Sequence, residues 1–533
     1  MTPARKPSAV AAVSQIEVLE EIADAHNAAS GTRKQSLLAS LLLGIGGLGT
    51  ALFIERGGSF FSSVLAARWG GAEVFGAYSV ALTAANNVAW YAGSGIGNTS
   101  TRFIAEHTRG TKGYRKTIRS LTLIALVSAA VAAIALWLGA EPMARMLVRN
   151  EKLITPLRVA ALSAAAIVLV ECCRGVFIGT RNFGHLLTLS TLAGGGLLLA
   201  VPRAAKFGAT YMIAGQSVAL LIAASVSAFL IFRRSKGPVA VNVPEGATAS
   251  LGSVWRFGLM QLGGVVGMNA AGWWTATLVT RADSTLVQMA FYAVATQLRN
   301  ISSLIPSLVQ QSNLAFFTTE GGRSFGGAAR VVEVSSMIAS ILSTLCCGIA
   351  ILVMPWIIGH MYGKDYTKAE MCAVLAIATV LVHFGTAPAA SRLLMVSLVK
   401  SGIVNGLWAI FVVIVATLFV PRASAVAATA TLFAGHTLSS FLVVFYLWRL
   451  KALPDRVTTL VVLDAAVALA MCGLAWARVV RPDYSLVLNF LILTLTAAAG
   501  LMLLRWGQRC GALPRSFELS SLLRSARSHL PTK

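Results

Sequence analysis

Charged residues are scarce in this chain. Only 12% of its 533 residues are Asp, Glu, Lys or Arg, and only 20 are acidic, whereas soluble globular proteins carry roughly a quarter charged residues. A further 56% are hydrophobic. This composition excludes a soluble enzyme and predicts a chain that lies largely within a lipid bilayer.

Cysteine motifs are also missing. The seven cysteines include no Cys-x-x-Cys pair and no spacing typical of a metal site, so neither a disulfide framework nor a zinc site is expected. We expect no cofactor, no metal and no catalytic residue. A signal peptide needs a basic head and an apolar run, but residues 1–36 carry four acidic residues, so no signal peptide is expected. The acidic residues are Glu17, Glu20, Glu21 and Asp24.

What the chain has instead is a series of long apolar runs. About 20 apolar residues span the ~30 Å hydrocarbon core as a helix, and the runs are too long and too continuous for barrel strands. They predict about 14 transmembrane helices. The runs fall at about 38–66, 76–99, 118–139, 157–179, 185–201, 208–232, 254–279, 288–314, 332–358, 369–391, 401–420, 424–448, 457–478 and 484–504.

The basic residues lie mainly between these runs. With the N-terminus inside, 29 Lys and Arg fall on the inner side and 13 on the outer side, while Arg56 and Arg299 lie within spans. This bias predicts a multi-pass protein with both termini in the cytoplasm. The same bias explains most of the net charge of +24, because basic residues set the membrane topology and contact anionic lipids. No nucleic-acid partner is therefore expected.

A short internal repeat suggests two related lobes. A Tyr-x-Val-Ala segment with Asn eight residues beyond the Tyr recurs 214 residues later, in the same direction across the membrane, which is typical of parallel transporter repeats. Arg68, Tyr78, Val80, Ala81 and Asn86 correspond to Arg281, Tyr292, Val294, Ala295 and Asn300.

The predicted fold is therefore an all-α integral membrane protein with two pseudo-symmetric six-helix lobes around a central cavity, plus two C-terminal helices. The predicted segments are a cytoplasmic N-terminal tail (1–36), an N-lobe (37–235), a cytoplasmic inter-lobe loop (236–253), a C-lobe (254–448), helices 13 and 14 (449–505) and a cytoplasmic C-terminal tail (506–533).

Three stretches carry a family resemblance: VLAARWGGAEVFGAYSVALT, TRFIAEHTRG and HMYGKDYTKAEMCAVLAIA. They resemble the O-antigen and exopolysaccharide flippases among the polysaccharide transporters, in the multidrug/oligosaccharidyl-lipid/polysaccharide exporter superfamily. The resemblance implies a transporter that flips undecaprenyl-diphosphate-linked oligosaccharide by alternating access across the bacterial inner membrane. Membrane lipids, a polymerase and export machinery would be its other partners. This sequence departs from the family pattern in its longer N-terminal extension and in the Glu-Arg pair within the first helix.

Two arginines are the main candidates for binding an anionic substrate. An Arg at a helix centre costs about 2.5–3.5 kcal/mol on insertion scales, and its guanidinium matches phosphate oxygens. Arg299 lies on a polar helical stripe with Tyr292 and Asn300 nearby; a stripe satisfied between helices is the alternative. Arg56 follows Glu55 and precedes Gly57 and Gly58, where the span has a candidate break.

Amides and other titratable groups complete the candidate set. Asn86, Asn87, Gln261 and Asn269 are predicted to hydrogen-bond sugars, with interhelical hydrogen bonding as the alternative. The candidates for ion coupling are Glu55, Glu171, His383 and Asp464, because each is titratable within a span.

Other functions stay open at this point. A cation-coupled multidrug exporter and a peptidoglycan-precursor flippase belong to the same superfamily. A membrane glycosyltransferase or polymerase is a different class, but it needs a large outer loop or an acidic pair. The longest outer loop here is about 140–156.

Overall fold

The computed structural model describes residues 37–93, 95–105, 111–235, 251–308, 310 and 325–510. Over these residues the chain is helical, with turns and short 3-10 or π segments between helices. The helices are α1 (Leu37–Gly93), α2 (Ile96–Ala105), α3 (Lys112–Pro142), α4 (Ile154–Gly179), α5 (Phe183–Ala205), α6 (Ala209–Ser235), α7 (Leu251–Ala282), α8 (Val287–Ser302), α9 (Phe325–Trp356), α10 (Glu370–Val396), α11 (Leu398–Arg449), α12 (Val457–Val480) and α13 (Ser485–Arg509).

These helices confirm the predicted membrane fold. Nine stretches of the described chain are long and apolar enough to cross a bilayer. Helices α1 and α11 each contain a non-helical residue, Gly71 and Ser424, and therefore count as two segments each. With the ten-residue α2 set aside, the described chain has the fourteen segments that the apolar runs predicted.

Several predicted boundaries shift by a few residues. Helix α7 begins at Leu251 rather than 254, and α13 continues to Arg509, beyond the predicted end at 505. The predicted N-terminal tail and most of the inter-lobe loop and C-terminal tail lie outside the described residues. The division into lobes at those boundaries stays a prediction.

Most helix contacts lie within one or the other half of the chain. In the N-half (α1–α6), α3 packs on α4, and α6 packs on both α4 and α5. In the C-half (α7–α11), α11 packs on α7 and α10, and α10 also packs on α8 and α9. Helices α12 and α13 pack on α9, and α12 also packs on α10. Two groups of helices, one in each half, are what a two-lobe transporter requires.

Small residues bring helices of the N-half close together. A Cβ placed on Gly58 of α1 would lie 2.6 Å from the carbonyl carbon and oxygen of Gly194 in α5. A Cβ on Gly175 of α4 would lie 2.2 Å from the carbonyl oxygen of Gly97 in α2. Such close approach is typical of helix pairs in membranes, where dispersion contacts replace the hydrophobic effect.

The two halves meet at one end of the bundle, which we term the closed end. The connections between spans 1 and 2, spans 7 and 8, and spans 9 and 10 lie at this end. Each joins an odd-numbered span to the next even-numbered span, so all three lie on the same side of the membrane. Arg68 Nη1 donates to the carbonyl oxygen of His360 at 2.7 Å, and the Tyr366 hydroxyl donates to that of Ala67 at 3.3 Å.

Backbone and aromatic packing also seal the closed end. A Cβ on Gly76, at the start of the second span, would lie 2.1 Å from the carbonyl oxygen of Leu286, so the N-half backbone touches the turn before α8. The Tyr366 ring lies 6.4 Å from that of Phe75 and 6.2 Å from that of Phe291, between centroids. Rings from both halves therefore close this end of the space between them.

The repeated segments have matching burial. Val80 and Val294 are 7% and 0% exposed, and Ala81 and Ala295 are both fully buried. Asn86 and Asn300 are both exposed. Corresponding positions of the second and eighth spans are therefore buried or exposed alike.

Candidate functional site

The N-half contains a cluster of buried charges, which we term the N-half ion cluster. Arg174 of α4 pairs with Glu55 of α1 and with Glu171, one helical turn earlier on α4. Ser190 of α5 donates its hydroxyl to Glu55 Oε2 at 3.1 Å. The side chains of Arg174 and Glu55 are only 18% and 22% exposed. Three helices are therefore joined by one guanidinium, two carboxylates and a hydroxyl group.

Arg174 was missing from the sequence-based candidates. It lies inside the apolar run at 157–179, but it was counted with the basic residues of the following inner loop. The prediction that only Arg56 and Arg299 lie within spans is wrong. The Glu171-x-x-Arg174 spacing was the available signal, because residues three apart share a helix face.

Arg56 points away from this cluster. Adjacent residues diverge by about 100° around a helix, and α1 stays helical through Gly57 and Gly58, its only non-helical residue within the described range being Gly71. The double glycine is therefore not a break here. Arg56 Nη1 instead lies 3.5 Å from Ser307 Oγ, which belongs to the eighth span. Glu55 is bound within the N-half, and Arg56 reaches the C-half.

Arg299 lies in the C-half among hydrogen-bond donors. It is half-buried on α8 and lies within electrostatic range of Tyr292, His383 and His436. Among the described residues, no carboxylate pairs with its guanidinium. The predicted proximity of Arg299 and Tyr292 is present in the structure.

Two histidines and a tryptophan pack together in the C-half. The rings of His383 on α10 and His436 on α11 have centroids 4.8 Å apart, and the Trp408 ring is 5.3 Å from that of His436. Trp408 Nε1 is buried and makes no hydrogen bond within the described chain. We term Arg299, His383, Trp408 and His436 the C-half donor cluster.

The predicted amides have different environments. Asn86 and Asn300 are exposed in the middle of apolar spans, where contact with hydrocarbon is costly, so a polar path between the halves explains their position. Asn87 donates to the carbonyl oxygen of Thr83 at 2.8 Å within its own helix, which favours a structural role. Asn269 is half-buried on α7. The side chain of Gln261 lies outside the described residues.

Asp464 is separate from both clusters. It is 1% exposed on α12 and accepts a hydrogen bond of 2.7 Å from Ser340 Oγ on α9. It lies against Gly385 of α10, which is about 200° around that helix from His383. The structure therefore brings Glu55 and Glu171 together but leaves His383 and Asp464 apart from them.

A small cavity lies between the halves, toward the closed end. Its walls come from the second span, the end of α3 and the segment after it, α4, α7 and α8, and neither Arg56 nor Arg299 lines it. In the part of the chain that the structure describes, no three His, Cys, Asp or Glu side chains are grouped to hold a metal. The lining residues are Val80, Thr83, Ala84, Met143, Leu147, Val148, Leu157, Trp273, Ala276, Thr277, Thr280 and Met289.

Comparison with known proteins connects this architecture to a family. The sequence profile described as polysaccharide biosynthesis protein matches residues 41–313, just over half of the chain. No curated protein matches the sequence.

Solved structures share the fold. The chain is similar to a structure described as lipid II flippase MurJ in an inward closed conformation, with a TM-score of 0.60 and 12% identity over 86% of this chain and 98% of that one. An inward-facing MATE multidrug resistance transporter of the MOP superfamily matches with a TM-score of 0.55 and 13% identity, over 78% of this chain and 98% of that one. At such low identity, these likenesses establish an all-helical membrane transporter fold.

Proposed function

We propose that this chain, which belongs to the polysaccharide biosynthesis protein family and is a multi-pass membrane transporter of the flippase and exporter type, translocates undecaprenyl-diphosphate-linked oligosaccharide. Its place would be the bacterial inner membrane, with both termini in the cytoplasm. The movement would be alternating access between the two halves, for export of an exopolysaccharide or O-antigen.

The observation that carries this proposal is the placement of two guanidinium groups along one span. Arg56, from the N-half, contacts Ser307, which lies eight residues after Arg299 and beyond the end of α8 at Ser302. Charge-assisted hydrogen bonds from arginine to phosphate oxygens are among the strongest in proteins. A diphosphate held from both halves would stay bound while the halves move.

Polar surface beside the arginines supports a path for sugars. The exposed Asn86 and Asn300 lie at corresponding positions in the second and eighth spans, and Trp90 is 48% exposed on the same helix as Asn86. Amides bond sugar hydroxyls, and an indole ring packs against the apolar face of a sugar. The closed end provides the barrier that alternating access needs on one side.

Reconstitution tests the function directly. Purified protein in liposomes would be given a polyprenyl-diphosphate oligosaccharide with a fluorescent sugar, and a membrane-impermeant glycosidase would report the sugar exposed on the outer leaflet. We expect exposure to increase only in vesicles that contain the protein. Exposure at the rate of protein-free vesicles would contradict the proposal.

A cation-coupled drug exporter is the second candidate. The observation in its favour is the acidic pair of the N-half, Glu55 and Glu171, although both carboxylates pair with the single cation Arg174 in this structure. The same vesicles distinguish the two functions: a drug exporter would accumulate a cationic dye against an imposed ion gradient, and the proposed flippase would not.

A further inference from the structure

The carboxylate of Asp464 is buried where three helices of the C-half bundle meet. Asp464 lies on α12 and is 1% exposed. Its Oδ2 accepts a hydrogen bond of 2.7 Å from Ser340 Oγ on α9 and packs against Gly385 on α10, where an added Cβ would lie 2.0 Å away. Its other oxygen, Oδ1, is buried and has no hydrogen-bond partner within the described chain. A buried carboxylate with a free oxygen requires a positive partner or a proton.

No basic side chain of the described residues forms a salt bridge with Asp464. Arg456, just before α12, pairs with Glu333 of α9 at 3.4 Å. Arg478, near the end of α12, pairs with Glu370 of α10 at 2.8 Å. The two arginines nearest to Asp464 in sequence are therefore paired with other carboxylates.

The remaining basic residues of the surrounding helices lie about two turns or more from this level. Arg392 is seven residues after Gly385 on α10, and Arg330 is ten residues before Ser340 on α9. These separations correspond to about 10 and 15 Å along the helix axes. Helix α13 has basic residues only from Arg505 onward, in its last turns. The negative charge of Asp464 is thus left without a cation from the described protein.

Further hydroxyl groups lie on the same face of α9. Ser336, Ser343 and Thr344 are within about one helical turn of Ser340, and all three are fully buried. Their hydroxyl groups make no hydrogen bond to any part of the chain that the structure describes. A hydroxyl oxygen has two lone pairs that can accept a hydrogen bond or coordinate a cation. Together with the carboxylate, they form a group of hard oxygen donors, which suits hard metal cations.

A proline supplies another oxygen at this level. Pro388 lies inside α10 and has no N–H, so it cannot donate to the carbonyl oxygen of Phe384, four residues earlier. Phe384 immediately precedes Gly385, against which the Asp464 carboxylate packs. Backbone carbonyls released from their helix are typical ligands of alkali ions in membrane transporters.

The second proline of this region shows how such a carbonyl is satisfied. Pro355 in α9 releases the carbonyl oxygen of Ile351 in the same way. Arg478 donates to this oxygen from Nη1 at 3.3 Å and from Nη2 at 3.2 Å. A positive group from α12 therefore binds the carbonyl released in α9, whereas α12 places the negative Asp464 beside α10.

We propose that Asp464 and Ser340 form a binding site for a monovalent alkali cation at the junction of α9, α10 and α12. The cation binds Asp464 Oδ1 and a lone pair of Ser340 Oγ, with Ser343, Thr344 and the Phe384 carbonyl as further oxygen donors. A single carboxylate is neutralised by one monovalent ion, whereas divalent ions are bound by more oxygen ligands and often by several carboxylates. Sodium and potassium are the two possible sources of the cation.

The site goes beyond the proposed function, since it involves neither of the arginines that would hold the diphosphate. Helix α12 is one of the two helices that follow the C-half. A cation shared by Asp464 of α12 and Ser340 of α9 would stabilise the packing of this additional helix on the C-half. Its binding should therefore be measurable as stability, with no substrate present.

Thermal unfolding of the full-length protein in nanodiscs tests the site. Sodium chloride or potassium chloride is titrated against N-methyl-D-glucamine chloride, so that the chloride concentration stays constant. The organic cation is too large for a site between packed helices and is the reference. We expect Tm to rise and saturate with at least one alkali ion, because an ion that binds only the folded protein stabilises it by mass action.

Variants connect this effect to the proposed ligands. Asp464→Asn should lose the dependence of Tm on the alkali ion and should be at least as stable as the parent in the organic cation, since the unpaired charge is gone. Ser340→Ala should raise the midpoint concentration about ten-fold, which corresponds to the loss of one ligand. Two controls should keep the parent midpoint: Asp455→Asn, at an exposed acid before α12, and Ser391→Ala, whose hydroxyl bonds the Ala387 carbonyl of its own helix.

Each outcome decides the proposal. A saturable rise in Tm that Asp464→Asn abolishes supports the site, and the ion that produces it identifies the source. No rise with either ion overturns the site, as does an equal rise in Asp464→Asn, which would indicate a general effect of salt. If Asp464→Asn does not fold, an unchanged midpoint in Ser340→Ala overturns the site. Translocation is measured separately in the liposome assay, so a failure here leaves the proposed function intact.

Discussion

The two halves of this transporter accommodate a buried arginine in opposite ways. In the N-half, Arg174 is paired with Glu55 and Glu171, so this arginine has counter-ions within the protein. In the C-half, Arg299 pairs with no carboxylate among the described residues, and His383 and His436 lie within electrostatic range of it. The first arrangement joins three helices, and the second keeps a positive site available.

This difference indicates that the two halves have different roles, one structural and one in substrate binding. Partly buried ion pairs between helices cost free energy to open, so the N-half is suited to hold its helices together as one body. A cation without a counter-ion is costly until an anion arrives. Substrate binding would therefore stabilise the C-half more than the N-half.

The largest effect on stability is expected at Arg174. Arg174→Ala leaves two carboxylates without their cation and should destabilise the protein by about 1–3 kcal/mol, between the values for exposed and buried pairs, because the Glu55 and Glu171 side chains are 22% and 41% exposed. The measurement is thermal unfolding in detergent. Arg145→Ala, in an exposed pair with Glu141, is the control and should cost under about 1 kcal/mol.

A triple variant sharpens this result. Arg174→Gln combined with Glu55→Gln and Glu171→Gln removes all three charges together and should recover much of the lost stability, since no charge is left unpaired. Equal losses in the triple variant and in Arg174→Ala would show that the charges themselves do not hold the N-half together.

The next largest effect is expected at the closed end. Gly76→Ala places a Cβ against the Leu286 carbonyl oxygen, where only 2.1 Å is available, so the halves must separate there. Spin labels on Glu73→Cys and Ser284→Cys in a cysteine-free background should report a longer distance between the halves. Gly57→Ala, on the same helix with open space around its Cβ, is the matched control. A distance distribution identical to that of the parent protein would refute the proposed contact.

The Glu55→Gln variant tests whether the N-half ion cluster couples transport to the uptake of a proton. If Glu55 takes up a proton during transport, the pH dependence of the transport rate should become flatter in this variant. Glu333→Gln, in the C-half pair with Arg456, should keep the parent profile. An unchanged pH dependence for Glu55→Gln would dismiss a coupling role for that carboxylate.

The smallest effect is expected at Asp283, in the turn before α8. Burial raises the pKa of this carboxyl, but hydrogen bonds from the Thr285 hydroxyl and from the backbone amides of Gln288, Thr285 and Val287 outweigh burial and lower the pKa overall. Its contribution to stability is therefore present above about pH 4 and is lost as the pH falls through the lowered pKa.

Asp283→Asn should cost about 1 kcal/mol at neutral pH, as for other capping residues. The difference in unfolding free energy between the variant and the parent should shrink below pH 4. A difference that stays constant from pH 7 to pH 3 would contradict the assigned hydrogen bonds.

The fourteen spans were predictable because hydropathy alone determines which segments enter a bilayer. The corresponding burial of the two repeated segments was predictable for a related reason, since Asn86 and Asn300 are polar, whereas Val80, Ala81, Val294 and Ala295 are apolar. The resemblance to polysaccharide transporters, carried by short motifs such as the one around Arg68, was confirmed by the family profile.

The C-half donor cluster was not predictable in full. Trp408 and His436 lie 28 residues apart on a helix that breaks at Ser424, and only the fold back at that break brings them together. Nothing in the local sequence of Trp408 distinguishes it from the other tryptophans. The orientation of Glu55 and Arg56 was also ambiguous, because the double glycine after them indicated a break, whereas α1 stays helical there.

The most direct test of the central account is the translocation rate of Arg299→Ala in the liposome assay, with Arg422→Ala as the control, since Arg422 is exposed and bonds only the Leu418 carbonyl of its own helix within the described chain. We expect Arg299→Ala to insert normally but to lose at least about ten-fold in rate, Arg299→Lys to keep partial activity, and Arg422→Ala to match the parent. Parent-level translocation by Arg299→Ala would contradict the account.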